Sequence, residues 1–222
     1  MKFFDLLQQE TKAEREALYS VPQIVDGMQG RISRETYIAY LTQAYHHVKH
    51  TLPLLMAAGS RIPAGKEWLR RSFAEYIEEE IGHEEWILND IKHAGGDAEA
   101  ARHSAPSLPV ELMTSYAYDL VTRQNPVAFF GMVFVLEGTS TAMATHAAEA
   151  IRKSLNLKKD CFSYLLSHGS LDISHMQFFE KTVNKITDPK DQQDIIHAAR
   201  VIFYLFAEMF RSIPHKRTQE VS

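Results

Sequence analysis

The sequence predicts an all-α, single-domain bundle of seven helices, and three observations carry that reading. Apolar residues recur at helical spacing along most of the chain, and no segment sustains a period-two alternation. Asn125-Pro126 and Asp188-Pro189 each place a capping side chain before a proline at the first helical position, while Gly95-Gly96 is a strong helix stop. A length of 222 residues with 45% hydrophobic and 10% aromatic content suits one well-filled core.

Taken in order, the first amphipathic helix is expected over 3–19, closing near Ser20-Val-Pro22. A turn-rich stretch through Gly27 and Gly30 leads to Ser33, the N-cap of a long helix through Tyr37, Tyr40, Leu41 and Tyr45 that Pro53 should kink or end. The third helix is expected over 66–93, stopping at Gly95-Gly96, and 97–109 reads as a surface loop. A short helix over 110–123 follows, then helices over 126–153, 161–186 and 189–212. The polar tail, 214–222, is expected to fray. There is no repeat and no linker, so the single domain spans 1–222.

Net charge is −4 and Lys and Arg are scattered, which argues against a nucleic-acid or anionic-membrane binder. A lone cysteine, Cys161, excludes an intramolecular disulfide and fits a reducing compartment. The first ten residues are broken by Asp5 before a signal-peptide core can form, and the apolar run 127–136 is far shorter than the roughly 20 residues of a membrane span. A cytoplasmic protein without a membrane span is therefore expected, most simply as a homodimer. Eleven histidines make their placement worth following.

The most specific local pattern is His168-Gly-Ser-Leu-Asp172-Ile-Ser-His175. On a helix, offsets of four and seven residues fall within about 60° of one another, so these three side chains share a face. Two imidazoles and a carboxylate so placed suit iron or manganese; the alternative is a capping Asp172 with surface histidines. Glu137 closes the run Phe129-Phe-Gly-Met-Val-Phe-Val-Leu136, where an ionised carboxylate should be paired, protonated or bound to a cation. The following Gly138-Thr-Ser-Thr141 leaves room for a ligand or for close helix approach. In Glu78-Glu-Glu-Ile-Gly-His83, both Glu79 and Glu80 come within helical reach of His83, a pairing that recurs in iron-binding bundles. Acidic runs are usually solvated faces. The force lies in the combination of three helices that each offer a carboxylate.

Glu80-x-x-His83, Glu137 and His168-x3-Asp172-x2-His175 resemble the ligand set of the haem-oxygenase-like diiron oxidases and oxygenases, within the TenA/PqqC-like superfamily. The resemblance covers essentially the whole chain. It implies a haem-oxygenase-like helical fold and an iron centre on Glu80, His83, Glu137, His168, Asp172 and His175, with two ions or a mononuclear iron or manganese site. Its Glu-Ile-Gly-His segment favours Glu80 over Glu79. The candidate substrate contacts are Tyr40, Ala44, Tyr45, His47 and Glu208, of which the Tyr40-Leu-Thr-Gln-Ala44-Tyr45 segment and Glu208 resemble TenA-type enzymes. Ala44 stands where those thiaminases carry an aspartate, and Cys161 lies near a helix start without an obvious match to their cysteine motif. Haem oxygenase itself would want a proximal histidine in the first helix, whereas no histidine precedes His46.

His46 and His50 share a helix face and could approach the site or be ordinary helix residues. Tyr37, Tyr40 and Tyr45 could line a pocket or pack in the core, and Met132 and Met143 are expected to fill it. Two ferrous ions facing three carboxylates leave an excess of about one positive charge, which a substrate carboxylate or an oxygen species would balance. The expected activity is O2-dependent oxidation of a small, carboxylate-bearing metabolite, with electrons from an external donor because no nucleotide-binding glycine motif is present. The rivals are a metal-independent TenA-like hydrolase of thiamin breakdown products and a non-catalytic small-molecule binder on the same scaffold.

Overall fold

A computed structural model describes residues 1–217, with the side chains of 168–174 outside that description. The described residues form α1 (Phe3–Glu10), α2 (Lys12–Tyr19), α3 (Pro22–Met28), α4 (Arg34–Val48), α5 (Thr51–Ser60), α6 (Trp68–Glu80), α7 (His83–His93), α8 (Ala98–His103), α9 (Leu108–Asp119), α10 (Phe130–Leu155), α11 (Ser163–Val183) and α12 (Pro189–Ser212). A wide π turn, Leu120–Gln124, and a 3-10 turn, Pro126–Phe129, join α9 to α10. The described residues form an all-α fold. Its segments outnumber the seven expected because several long helices are divided.

Each division has a local cause. Thr11 is buried and its hydroxyl donates to the Leu7 carbonyl at 2.7 Å, a back-bond that interrupts the 3–19 helix between α1 and α2. The helix capped by Ser33, whose Oγ accepts from Thr36 N, ends at Val48. Pro53 sits in the first turn of α5, where its missing N–H costs no helical bond. The 66–93 helix breaks at Gly82, whose φ of +85° is left-handed and suits glycine. The stretch 97–109 is not wholly a loop, because Asp97 accepts from Ala100 N and caps α8. Asn125 and Asp188 act as the caps expected of them, accepting from Val127 N and Lys190 N.

The long α10 is the axis of the bundle, packed most extensively against α11 and then α12. Gly131 permits that crossing: a Cβ there would stand 2.5 Å from the Ile195 carbonyl oxygen and 2.7 Å from Ala199 N. The 126–155 stretch is apolar and long enough to cross a membrane by composition, and 61% of its most apolar window is buried inside the fold. Its hydropathy is thus largely accounted for by its place in the core.

The tail departs from expectation. Instead of fraying after Pro214, residues 214–217 are anchored, while 218–222 lie outside the described residues. Thr36 Oγ1 donates to the Pro214 carbonyl and accepts from Lys216 N, Ser33 N donates to the Lys216 carbonyl, and Ile32 pairs with Arg217. Asp26, 1% exposed, accepts from Arg217 and His215 at 2.7 Å each and from Arg31. Burial pushes its carboxyl up, but the bonds from Arg217, Arg31 and His215 outweigh burial and hold it at about 2.

Candidate functional site

Glu137 lies in the first half of α10 and is 8% exposed. Glu80 is the last residue of α6 and His83 the first of α7. They do not share one helix face: the left-handed turn at Gly82 folds the chain so that Glu80 Oε2 stands 3.0 Å from His83 Nδ1. The buried His83 ring also packs against Trp86, with centroids 4.2 Å apart. Glu79 faces the other way and holds His175, Oε2 to Nε2 at 3.0 Å. His175 is 5% exposed, on α11. Of the His168-Asp172-His175 pattern, the side chains of His168 and Asp172 lie outside the described residues.

The start of α11 is fixed from a neighbouring helix. Asp90 of α7, fully buried, accepts from Ser163 N at 2.9 Å, Ser163 Oγ at 2.5 Å and Tyr164 N at 2.9 Å. Its carboxylate therefore serves the first amides of α11 as an N-cap would. Burial still pushes its carboxyl up against those three bonds. Tyr37 donates to the Cys161 carbonyl at 2.8 Å and fixes the same turn.

A cavity of about 160 Å³ runs beside α10, and both Glu80 and Glu137 are on its wall. So are Tyr40, His47 and Tyr76; the remainder is mainly apolar, and none of its described lining residues is Lys or Arg. Tyr40 stacks between Tyr37 and Phe210, and burial, then the charge of Asp90, keeps its phenol neutral by raising its pKa far above ordinary. Met132 is buried in the core and Met143 packs against it, as expected, and both also line this cavity, as does Tyr76, which the sequence did not single out. The available signal was the spacing Met132, Leu136, Ser140, Met143, Ala147 and Ile151, one helix face running past Glu137.

Of the five residues suggested as substrate contacts, the structure brings Tyr40 and His47 to the cavity and leaves the other three off its wall. Ala44 is fully buried in the apolar cluster that includes Leu41, Ile87 and Ile91. Tyr45 packs its ring against His46 and under Lys49. Glu208 pairs with Arg211 one helical turn on, at 2.5 Å. His46 and His50 also turn away, His46 Nε2 bonding to Ser104 Oγ at 2.8 Å and His50 Nδ1 to Tyr118 Oη at 3.1 Å. Cys161 is buried, and burial followed by Asp160 pushes its thiol up, the opposite of an activated nucleophile.

Residues 38–207 match the family described as iron-containing redox enzymes. The chain belongs to that family. Among solved structures, this iron-containing redox enzyme family member is similar to a domain of unknown function with a haem-oxygenase-like fold from Shewanella denitrificans OS217 (22% identity, TM-score 0.84, 96% of this chain and 92% of that one). It is also similar to a TenA homologue from P. horikoshii OT3 (12% identity, TM-score 0.76, covering 95% and 99%). A haem oxygenase from Leptospira interrogans resembles it as well (15% identity, TM-score 0.76, covering 95% and 98%). At these identities the structures establish the shared fold. Among curated proteins, none matches the sequence.

The donors of this family member suit iron. Carboxylate oxygens from α6 and α10 share a cavity wall, and the buried imidazoles of α7 and α11 are each tied to a carboxylate of α6. Oxygen and imidazole nitrogen donors of this kind are what iron takes in helical bundles. Among the described residues, no group of three such side chains already stands close enough to hold an ion; the side chains of His168 and Asp172, on the same helix as His175, lie outside the described residues.

Proposed function

We propose that the chain is a nonhaem diiron, O2-dependent oxidase or oxygenase. The observation that carries this reading is the presence of Glu80 and Glu137, from two helices, on one largely apolar cavity wall, with buried His83 and His175 tied to the same α6 terminus. Glu80, His83, Glu137, His168, Asp172 and His175 would hold the metal, with mononuclear iron or manganese as the alternative filling. Bound iron would supply O2 activation and electron transfer, with reducing equivalents from an external donor.

The chain's own residues set the conditions for that chemistry. The Glu80 and Glu137 carboxylates would offset cationic charge beside the apolar side chains of Phe129, Met132, Leu136 and Phe206, which line the same cavity. Glu79, through its contact with His175, orients that imidazole from outside the cavity, as a carboxylate partner does for a ligating histidine. Tyr40 stays neutral and presents a hydrogen-bond donor to whatever occupies the cavity. The metal-independent hydrolase reading is weaker, because position 44 has no polar group, lies off the wall, and Cys161 is buried.

The test is metal analysis of protein reconstituted with ferrous iron without oxygen, followed by optical spectra after O2 is admitted. Stoichiometric iron that falls in Glu137→Ala and His175→Ala supports the proposal. Iron-free protein that is indifferent to both substitutions and to O2 would sink it.

A further inference from the structure

The small residues Gly138-Thr-Ser-Thr141 of α10 leave room for a ligand or for close helix approach, and their surroundings decide between the two. A glycine inside a helix is unfavourable unless the space of its missing side chain is needed. At Gly131 that space is taken by α12, whereas a Cβ on Gly138 would meet no described atom within 4 Å. Beside Gly138 lies a second cavity, of about 460 Å³, bordered by α1, α2, α10, α11 and α12; neither Glu80 nor Glu137 is on its wall. Its floor is apolar: Phe134 and Phe203 are 4% and 2% exposed, with Phe4 and Met176 beside them. Phe134 stands edge-on to Phe4 and to Phe203, with centroids 6.2 and 6.1 Å apart. Thr139, 7% exposed, is on the walls of both cavities, and its hydroxyl has no hydrogen-bond partner among the described residues.

The outer edge of this cavity is polar and carries one cation among the described lining residues, Arg15. Among the described residues Arg15 makes only two long hydrogen bonds, 3.3 and 3.4 Å, both to the Gln8 carbonyl. Glu10, Glu14 and Glu16 of the same two helices are paired elsewhere, the first two with Arg200 and the last with Lys12. Glu180, the one carboxylate among the described lining residues, is paired with Lys2 at 3.3 Å. Gln8, Gln177 and Tyr19 add neutral polar groups, while the Thr141 hydroxyl is committed to the Glu137 carbonyl. We infer that this second cavity binds a small monocarboxylate whose apolar body carries one further oxygen, with the carboxylate on Arg15, the body on the phenylalanine floor beside Gly138, and the oxygen at Thr139. Arg15 selects the anion, because a guanidinium offers a carboxylate two parallel N–H donors. Gly138 keeps the floor open, and the ligand oxygen gives the buried Thr139 hydroxyl the partner it lacks. The site is separate from the proposed metal centre and does not depend on it.

The probes are phenylacetate, its para-hydroxy derivative, phenylacetamide and phenethylamine, titrated calorimetrically into the full chain after chelation, so that bound metal takes no part. Phenylacetate should bind roughly tenfold or more tightly than the amide, and the amine should bind weakest. Arg15→Gln should bring acid and amide level, with Arg15→Lys keeping part of the difference. The para-hydroxy acid should bind several-fold more tightly than phenylacetate, and Thr139→Val should remove that gain. Gly138→Leu fills the floor and should abolish binding of acid and amide alike; Gly138→Ala, which adds a single methyl, should weaken both if the leucine variant does not fold. No binding of any probe, equal binding of acid and amide, or acid affinity unchanged in folded Arg15→Gln or Gly138→Leu would each overturn the inference. So would a change of oligomeric state in Gly138→Leu, read by sedimentation velocity, because it would give the cavity to a second copy of the chain.

Discussion

Asp90→Ala should uncouple the start of α11 from α7. Asp90 is fully buried and accepts three hydrogen bonds at 2.5–2.9 Å, two of them from the first amides of the helix that carries His175. A helix cap is worth about 1 kcal/mol, and a hydrogen bond to a charged acceptor about 1.5–3 kcal/mol. Burial opposes these gains, as the raised carboxyl pKa shows, so the three do not simply add. A net loss of about 2–4 kcal/mol follows, which for a chain of this size lowers Tm by roughly 5–15 °C. Circular dichroism during urea and thermal unfolding measures it, and iron content after reconstitution should fall with stability because α11 is no longer anchored. A loss under about 1 kcal/mol would refute the view that this carboxylate fixes α11, as would an iron content unchanged in a variant that has lost the expected stability.

Three further outcomes follow from the same geometry. The folded carboxyl of Asp26 titrates at about 2 against an ordinary 3.8, so its contribution is present above pH ~4 and lost as pH falls through ~2. Because Arg31 and Arg217 are half or more exposed, screening reduces that contribution to about 1 kcal/mol, and Asp26→Asn should flatten this acid limb in pH-dependent urea titrations. Burial, followed by Lys49 and His50, lowers His46 to about 4, so its share of stability is present above pH ~6.5 and lost as pH falls toward 4; NMR titration should show a neutral ring at pH 7, and a midpoint above 6 would contradict it. Gly131→Ala forces a methyl into the α10–α12 crossing and should cost about 2 kcal/mol or more by chemical denaturation, whereas a neutral effect would mean that the two helices can part without penalty.

Much of the bundle was legible because helix signals are local. Ser33, Asn125 and Asp188 each cap the helix expected of them, and Gly95-Gly96 ends α7. The divisions at Thr11 and Gly82 were harder to read. A buried threonine hydroxyl and a glycine at positive φ become breaks only when packing on either side favours a change of direction. The anchored tail was unreadable for a different reason: its partners, Asp26, Ser33 and Thr36, lie about 180 residues away in sequence.

The site shows the same contrast. Glu137 stood out because a carboxylate interrupts an apolar run, and it does reach the cavity. Glu80 and His83 were paired on the assumption of one uninterrupted helix, while their contact depends on the Gly82 turn instead. Glu79 and Glu80 were inseparable by spacing; the structure sends Glu80 to the cavity and Glu79 to His175. The resemblance of the Tyr40–Tyr45 segment to TenA-type enzymes could not tell whether Ala44 and Tyr45 face the cavity or the α7 side, since that depends on how α4 is rotated within the bundle.

The proposed centre would hold iron on Glu80, His83, Glu137 and the α11 side chains. The most direct measurement is the iron content of the anaerobically reconstituted full chain, read together with its Mössbauer spectrum. About two coupled iron ions per chain are expected, with loss of bound iron in folded Glu137→Ala. Iron absent from well-folded protein, or present in the same amount after Glu137→Ala, would contradict it.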